Sequence, residues 1–289
     1  MAAARNIDKA RWTRSELSPR LGLVHEQLRQ RVLTNPDYTI QETDFSSIYA
    51  QETIERDVAL TKRLKTSFNT GLSQADRNTK KVAEVLEGLV LMNSELNNWL
   101  GNATTLKSSE YDDYVNGVDM ISEWKSAEGP QVLALAVDVT FGANAVAKKI
   151  ARIKSEIKAG KLGNIKYFRT EDGEPQPEKH NVPRIVIGVS QNVVDELAGL
   201  WLHKDNKTLA NHPVQKLFLQ QMSLQLSSMK RYAQAHGHEA CALECEKAHK
   251  IIRRILENKA SIRLGDLAND SVAVALKAEV EAQFAITTN

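Results

Sequence analysis

Apolar residues recur along this chain in three successive textures. Over residues 15–100 they fall at helical spacing, predicting a weak helix over Leu17–Leu33, a polar one over Ser46–Phe68 and a longer one over Ser73–Leu100. In the longest of these, Val82, Val85, Leu86, Leu89, Val90, Met92 and Leu96 form one stripe. Ser73 with Asp76 three positions on makes a start signal, and Gly101-Asn102 a stop. From about Tyr111 the runs shorten and turn residues interrupt them. Asn116-Gly117, between the strand-like runs EYDDYV and VDMISEW, predicts a two-residue β-hairpin. Val132–Phe141 is apolar on both sides, as a strand covered on two faces should be. Ala143–Gly160 returns to helical period, with Val146, Ile150, Ile153 and Ile157 on one face, and Ile165–Phe168 and Arg184–Val189 read as two further strands. Helices follow over Asn192–His203, Pro213–Ala235, His238–Asn258 and Asp266–Ala285. The predicted fold is α/β: a central mixed β-sheet of about five strands in the order β-β-β-α-β-β, with helical N- and C-terminal extensions. The divisions fall at residues 1–72, 73–205 and 206–289.

Strand alternation then decides which polar side chains meet. With an unbulged turn at Asn116-Gly117, Glu110, Asp112, Tyr114, Asp119, Ile121 and Glu123 share a face and Asp113 points the other way. A second tight hairpin, centred between Glu128 and Gly129, puts Asp119 directly opposite Asp138. Opposed residues have β-carbons about 5 Å apart, where two like charges are destabilising. A divalent cation would compensate, because Mg²⁺ is commonly held by one or two carboxylates and several waters. Asp112 and Glu110 are candidates for further oxygen ligands.

Composition narrows the setting. The 289 residues carry 38 Lys and Arg against 36 Asp and Glu, a net charge of +2 that names no partner by itself. The basic residues are locally concentrated, however: Lys148, Lys149, Arg152, Lys154, Lys158, Lys161, Lys166 and Arg169 stand against the single acid Glu156 between Gly142 and Arg169. Lys148, Arg152 and Lys154 are therefore candidate nucleic-acid contacts, since phosphates supply most sequence-independent affinity. The only two cysteines, Cys241 and Cys245, lie four apart on a predicted helix and cannot form a disulfide framework. With His238 and His249 they would spread over roughly 16 Å of helix, too far to converge on one zinc ion. No run of eighteen apolar residues occurs and charges interrupt the first residues, which predicts a cytoplasmic protein. Glycine-rich dinucleotide and phosphate loops, zinc-protease and nucleophile-elbow motifs do not occur.

The segments NGVDMI and LALAVDVTF, each carrying one acid, resemble the PD-(D/E)xK nuclease superfamily over roughly residues 73–189. The resemblance implies a core of helix, three-stranded meander, helix and strand, and two acids, Asp119 and Asp138, binding Mg²⁺ or Mn²⁺. It also implies a lysine two positions after the second acid, but Thr140 stands there. In some members the following helix supplies that lysine. On the wheel set by Val146, Ile150, Ile153 and Ile157, Lys149 lies near the inward stripe and Lys148 points away, which favours Lys149. A glutamate from the first helix is also implied; Glu87 and Glu95, in the helix preceding the hairpin, are the candidates, and Glu52 and Glu55 on the earlier helix are less favoured because it lies farther along the chain from the strand.

The expectation is a metal-dependent nuclease hydrolysing phosphodiester bonds of DNA or RNA, with Asp119, Asp138, Lys149 and Thr140 in the catalytic site. The alternative is a nucleic-acid-binding or scaffold protein with a degenerate nuclease fold, favoured by the missing lysine.

Overall fold

The computed structural model describes residues 17–126, 129–137, 143–170 and 172–286. It opens with α1 (Pro19–Leu28), whose first turn is capped by Ser18 Oγ accepting the Leu21 N–H, and continues into a π-helical turn at Arg29–Leu33. Next come α2 (Gln51–Asn69) and α3 (Gln74–Leu96); Ser73 and Asp76 close a reciprocal capping box at the start of α3. The chain then forms β1 (Thr104–Lys107), β2 (Met120–Ser126), β3 (Gly129–Val137) and α4 (Ala143–Lys158). Four short strands follow, β4 (Gly163–Ile165), β5 (Phe168–Arg169), β6 (Pro175–Gln176) and β7 (Lys179–Val182), and then β8 (Arg184–Ile187). The remainder is helical: α5 (Gln191–Leu202), α6 (Asn206–Ala210), α7 (Val214–Ala235), α8 (Glu239–Asn258) and α9 (Ser271–Gln283).

This corrects the expected fold class. The protein is mostly helical, and among the described residues there is no central five-stranded mixed sheet. The largest sheet has four strands in the order β1-β2-β3-β8, with β8 parallel to β3 and the other neighbours antiparallel. Two features account for the difference. The Asp112–Asn116 stretch, expected to be a strand of the Asn-Gly hairpin, winds into a π-helical turn, which Gly117 ends in the left-handed region at φ 66°. Ser109 Oγ accepts the Asp112 N–H at 3.0 Å and donates to the Asp112 carboxylate at 2.8 Å, so local capping outcompetes strand pairing. Asn-Gly thus serves as a helix end rather than a hairpin turn. Second, residues 163–182 pair among themselves, β4 with β7 and β5 with β6, apart from the central sheet. The first strand of the meander is instead Thr104–Lys107.

The β2–β3 register also differs from the expected one. Met120 pairs with Leu135 and Ser126 with Gly129, so by count position 136, not 138, stands opposite Asp119. Asp138 and Thr140 lie outside the described residues.

The sheet is covered on both faces. Met120 and Trp124 enter a large apolar cluster that unites α1, α3, α4, α5 and α7–α9, while Ile121 joins a smaller one with Ile40, Phe45, Val118, Ile165 and Tyr167. Val146, Ile150, Ile153 and Ile157 of α4 are buried. On α7, Gln225 Oε1 accepts the Val186 N–H at 2.9 Å and its Nε2 donates to the Val186 carbonyl at 2.7 Å. Gln221 makes the same pair of bonds to Gly188. Two helix side chains thereby satisfy backbone that β8 would otherwise present as an open edge. Among the described residues no helix is long and apolar enough to cross a membrane.

Candidate functional site

Where α3, β1, the turn at 112–117, β2 and α4 converge, acidic and basic side chains collect around two cavities. The smaller, of about 210 Å³, is lined by Asp113, Asp119, Lys149, Arg152 and Arg184. The larger, of about 640 Å³, is a cleft reached from the α2–α3 side, with Glu87, Lys107 and Asp113 among its walls. Asp113 borders both.

Each residue is placed by a local cause. Lys107 ends β1 and donates to Glu87 Oε2 at 3.0 Å, which ties α3 to the sheet. Burial works against the Lys107 ammonium, but the nearby carboxylates of Glu87, Asp113 and Asp119 outweigh it and hold it protonated, above the usual lysine range. Asp113 is half-buried in the turn; desolvation, then repulsion from Asp119, pushes its carboxyl up to about 8, with Glu87 adding to the effect and Lys107 and Lys149 opposing it. Arg184 begins β8 and grips Glu156 of α4 through two contacts of 2.7 Å. Its guanidinium also donates to the Asn116 carbonyl, so β8, α4 and the turn are locked together.

Among the sequence candidates, Asp119 and Lys149 line the smaller cavity together, and Arg152 stands at the same cavity while donating to Glu156 and to the Val115 carbonyl. Lys148 is exposed. Lys154 is directed elsewhere, over the Tyr232 ring at 5.6 Å on the α7 side. Of the four glutamates, Glu87 is the one brought to the cluster. Glu95 instead accepts the Thr105 N–H at 2.9 Å, and Glu52 and Glu55 are exposed on α2.

Asp112 and Glu110 need correction as metal ligands on a strand face, because neither is on a strand. Asp112 is fully buried, and its carboxylate accepts the backbone N–H groups of Lys166 at 2.8 Å and Tyr167 at 3.0 Å, with Asn116 and Ser109 supplying two further donors. It fastens the turn to the β4–β5 segment. Glu110 is exposed and paired with Lys65. Away from the cluster, His238 meets the Lys158 carbonyl at 3.1 Å and His249 meets Ser223 at 2.9 Å, while Cys241 and Cys245 are buried and unbridged. Burial pushes the Cys245 thiol up to about 12.

Sequence reasoning missed Lys107, Asp113 and Arg184. The Thr104-Thr105-Leu106 run was the available signal for β1, and a strand there makes Lys107 a candidate.

The donors suit a hard divalent cation, which prefers carboxylate oxygens and retains waters. Among the described residues no three acidic, histidine or cysteine side chains converge to hold a metal alone. No family model, curated protein or solved structure matches the chain.

Proposed function

We propose that the chain is a metal-dependent nuclease, a divergent relative of the PD-(D/E)xK superfamily, acting in a reducing cytoplasm. The observation that carries this is the meeting of Asp119 and Lys149 at one cavity with Arg152 and Arg184 on its walls. The succession α3, β1-β2-β3, α4 and β8 is also the one that the resemblance implies, carried here within a mostly helical chain. Two unbridged buried thiols fit the reducing compartment.

Asp119, with Asp138, would hold Mg²⁺ or Mn²⁺, which when bound lowers the pKa of a bound water and offsets charge on the phosphate. Lys149 orients that water or the phosphate from α4. Lys107, held protonated, supplies positive charge and does not serve as a base. Glu87 keeps Lys107 in place, and Arg152 with exposed Lys148 contacts backbone phosphates flanking the cut.

The second reading, a nucleic-acid-binding scaffold, draws on the Glu87–Lys107 pair, which already neutralises one acid of the cluster. One experiment separates the two: cleavage of DNA and RNA oligonucleotides with Mg²⁺ or Mn²⁺, comparing the parent with Asp119→Asn and Asp138→Asn. The nuclease reading expects metal-dependent cleavage that falls by about 100-fold or more in each variant. Equal cleavage by parent and variants removes the mechanism. Salt-sensitive binding with no cleavage by the parent replaces it with the scaffold.

A further inference from the structure

We propose that Phe68 and Tyr114 form a stacking platform for an unpaired base at the mouth of the cleft leading to the acid cluster, making single-stranded nucleic acid the substrate class. The proposal rests on the nuclease reading and extends it. Phe68 lies in the last turn of α2 and leaves 60% of its surface exposed, the one aromatic among the large exposed apolar side chains of the described residues. Its ring stands 6.0 Å from that of Tyr114, centre to centre, with the planes 37° apart. Tyr114 belongs to the same turn as Asp113 and lines the cleft. Tyr114 therefore links exposed Phe68 to the cleft that also holds Asp113, Glu87 and Lys107.

Cations flank the rings. Lys80 of α3 donates to the Tyr114 hydroxyl at 3.3 Å and to Asn69 at 3.2 Å, and Lys65 lies one turn before Phe68 on α2. Of the five acids that line the cleft, Glu84 pairs with His25, Glu110 with Lys65 and Glu87 with Lys107, Glu42 accepts the Tyr111 N–H, and Asp113 faces the acid cluster, so beside the rings Lys80 is the cation nearest a passing phosphate. Aromatic faces beside lysines are what single-strand binders use, because every base offers a π-face and every linkage a phosphate. A duplex keeps its bases stacked on one another and offers no such face to Phe68. The cleft's volume is within the range that encloses a small ligand such as a nucleotide.

The test measures binding by fluorescence anisotropy in an Asp119→Asn background, where cleavage does not consume the probe. The probes are labelled oligo(dT) of about 12 nucleotides, within the span single-strand grooves cover, and a blunt DNA duplex. Phe68→Ala should weaken oligo(dT) binding by about 10-fold and change duplex binding by less than about twofold, as loss of one stacked base predicts. Phe68→Trp should restore the single-strand affinity. Unchanged oligo(dT) affinity in Phe68→Ala overturns the platform, and so does an equal loss on both probes. If Phe68→Ala loses oligo(dT) while the parent never cleaves, the platform stands and the nuclease reading falls. If the parent cleaves and oligo(dT) binding ignores Phe68, the reverse holds.

Discussion

Among single residues, Asp113 shows most directly how the cluster trades stability for a concentration of charge. Its carboxyl ordinarily titrates near 3.8 and is pushed up to about 8 in the fold by burial and by Asp119. Between those values the folded state holds a proton that the unfolded chain releases, so stability falls as pH rises through this window and levels off above it. Asp113→Asn removes the titration. In EDTA, its melting temperature should exceed the parent's by several degrees more at pH 8 than at pH 5, about 5 °C given the size of the shift. Thermal denaturation at the two pH values measures this, and an equal difference at both would refute the assignment. How legible such residues were depended on the element bearing them. Lys149 could be placed from the helical wheel, since Val146, Ile150, Ile153 and Ile157 define a strong inward stripe. Glu87 could not be told from Glu95, because helical period fixes a face but not what stands opposite it. Lys107 was hidden because β1 is only four residues long and has no sustained alternation.

At the level of elements, the long amphipathic helices were readable and the short polar ones were not. The capping box at Ser73–Asp76 appears where the sequence put it. Asn116-Gly117 was misread because the same dipeptide serves hairpins and helix ends, and what decides between them here is the hydrogen-bond exchange between Ser109 and Asp112. Asp112 then does for the turn what a metal ligand was expected to do for a substrate: it gathers donors. Asp112→Ala should leave the buried Tyr167 N–H without its acceptor, at about 1–3 kcal/mol, and the part-buried Lys166 N–H likewise at a smaller cost. The expected result is a lower urea midpoint, with faster hydrogen exchange at those two amides, and a milder loss in Asp112→Asn, which keeps an acceptor. Unchanged exchange at Lys166 and Tyr167 would show that the bracket is not what holds the turn.

On the scale of the whole molecule, the site depends on β8 staying beside β3, because Arg184 leads from that strand to Glu156 of α4 and to the turn bearing Asp113. Nothing in the sequence marked β8 as a strand whose outer side is closed by a helix; two glutamines on α7 look like ordinary polar positions until their amides are seen on the backbone of Val186 and Gly188. Both are buried, at 5% exposure for Gln221 and 1% for Gln225, so the bonds compete little with water. Gln225→Leu keeps the volume but removes both partners of Val186. It should cost about 2–4 kcal/mol, the range expected for an orphaned donor and acceptor in the interior. Gln221→Leu alone should cost a similar amount. The double variant should lose less than the sum, because the first loss already frees the strand from α7 and the two sites share it. Urea denaturation of the three variants measures the coupling, read as a shift in midpoint at constant slope. Strict additivity would mean that each glutamine acts on its own residue alone. In the coupled case, nucleic-acid cleavage should fall together with stability, since a detached β8 carries Arg184 away from Glu156 and opens the cavity shared by Asp119 and Lys149.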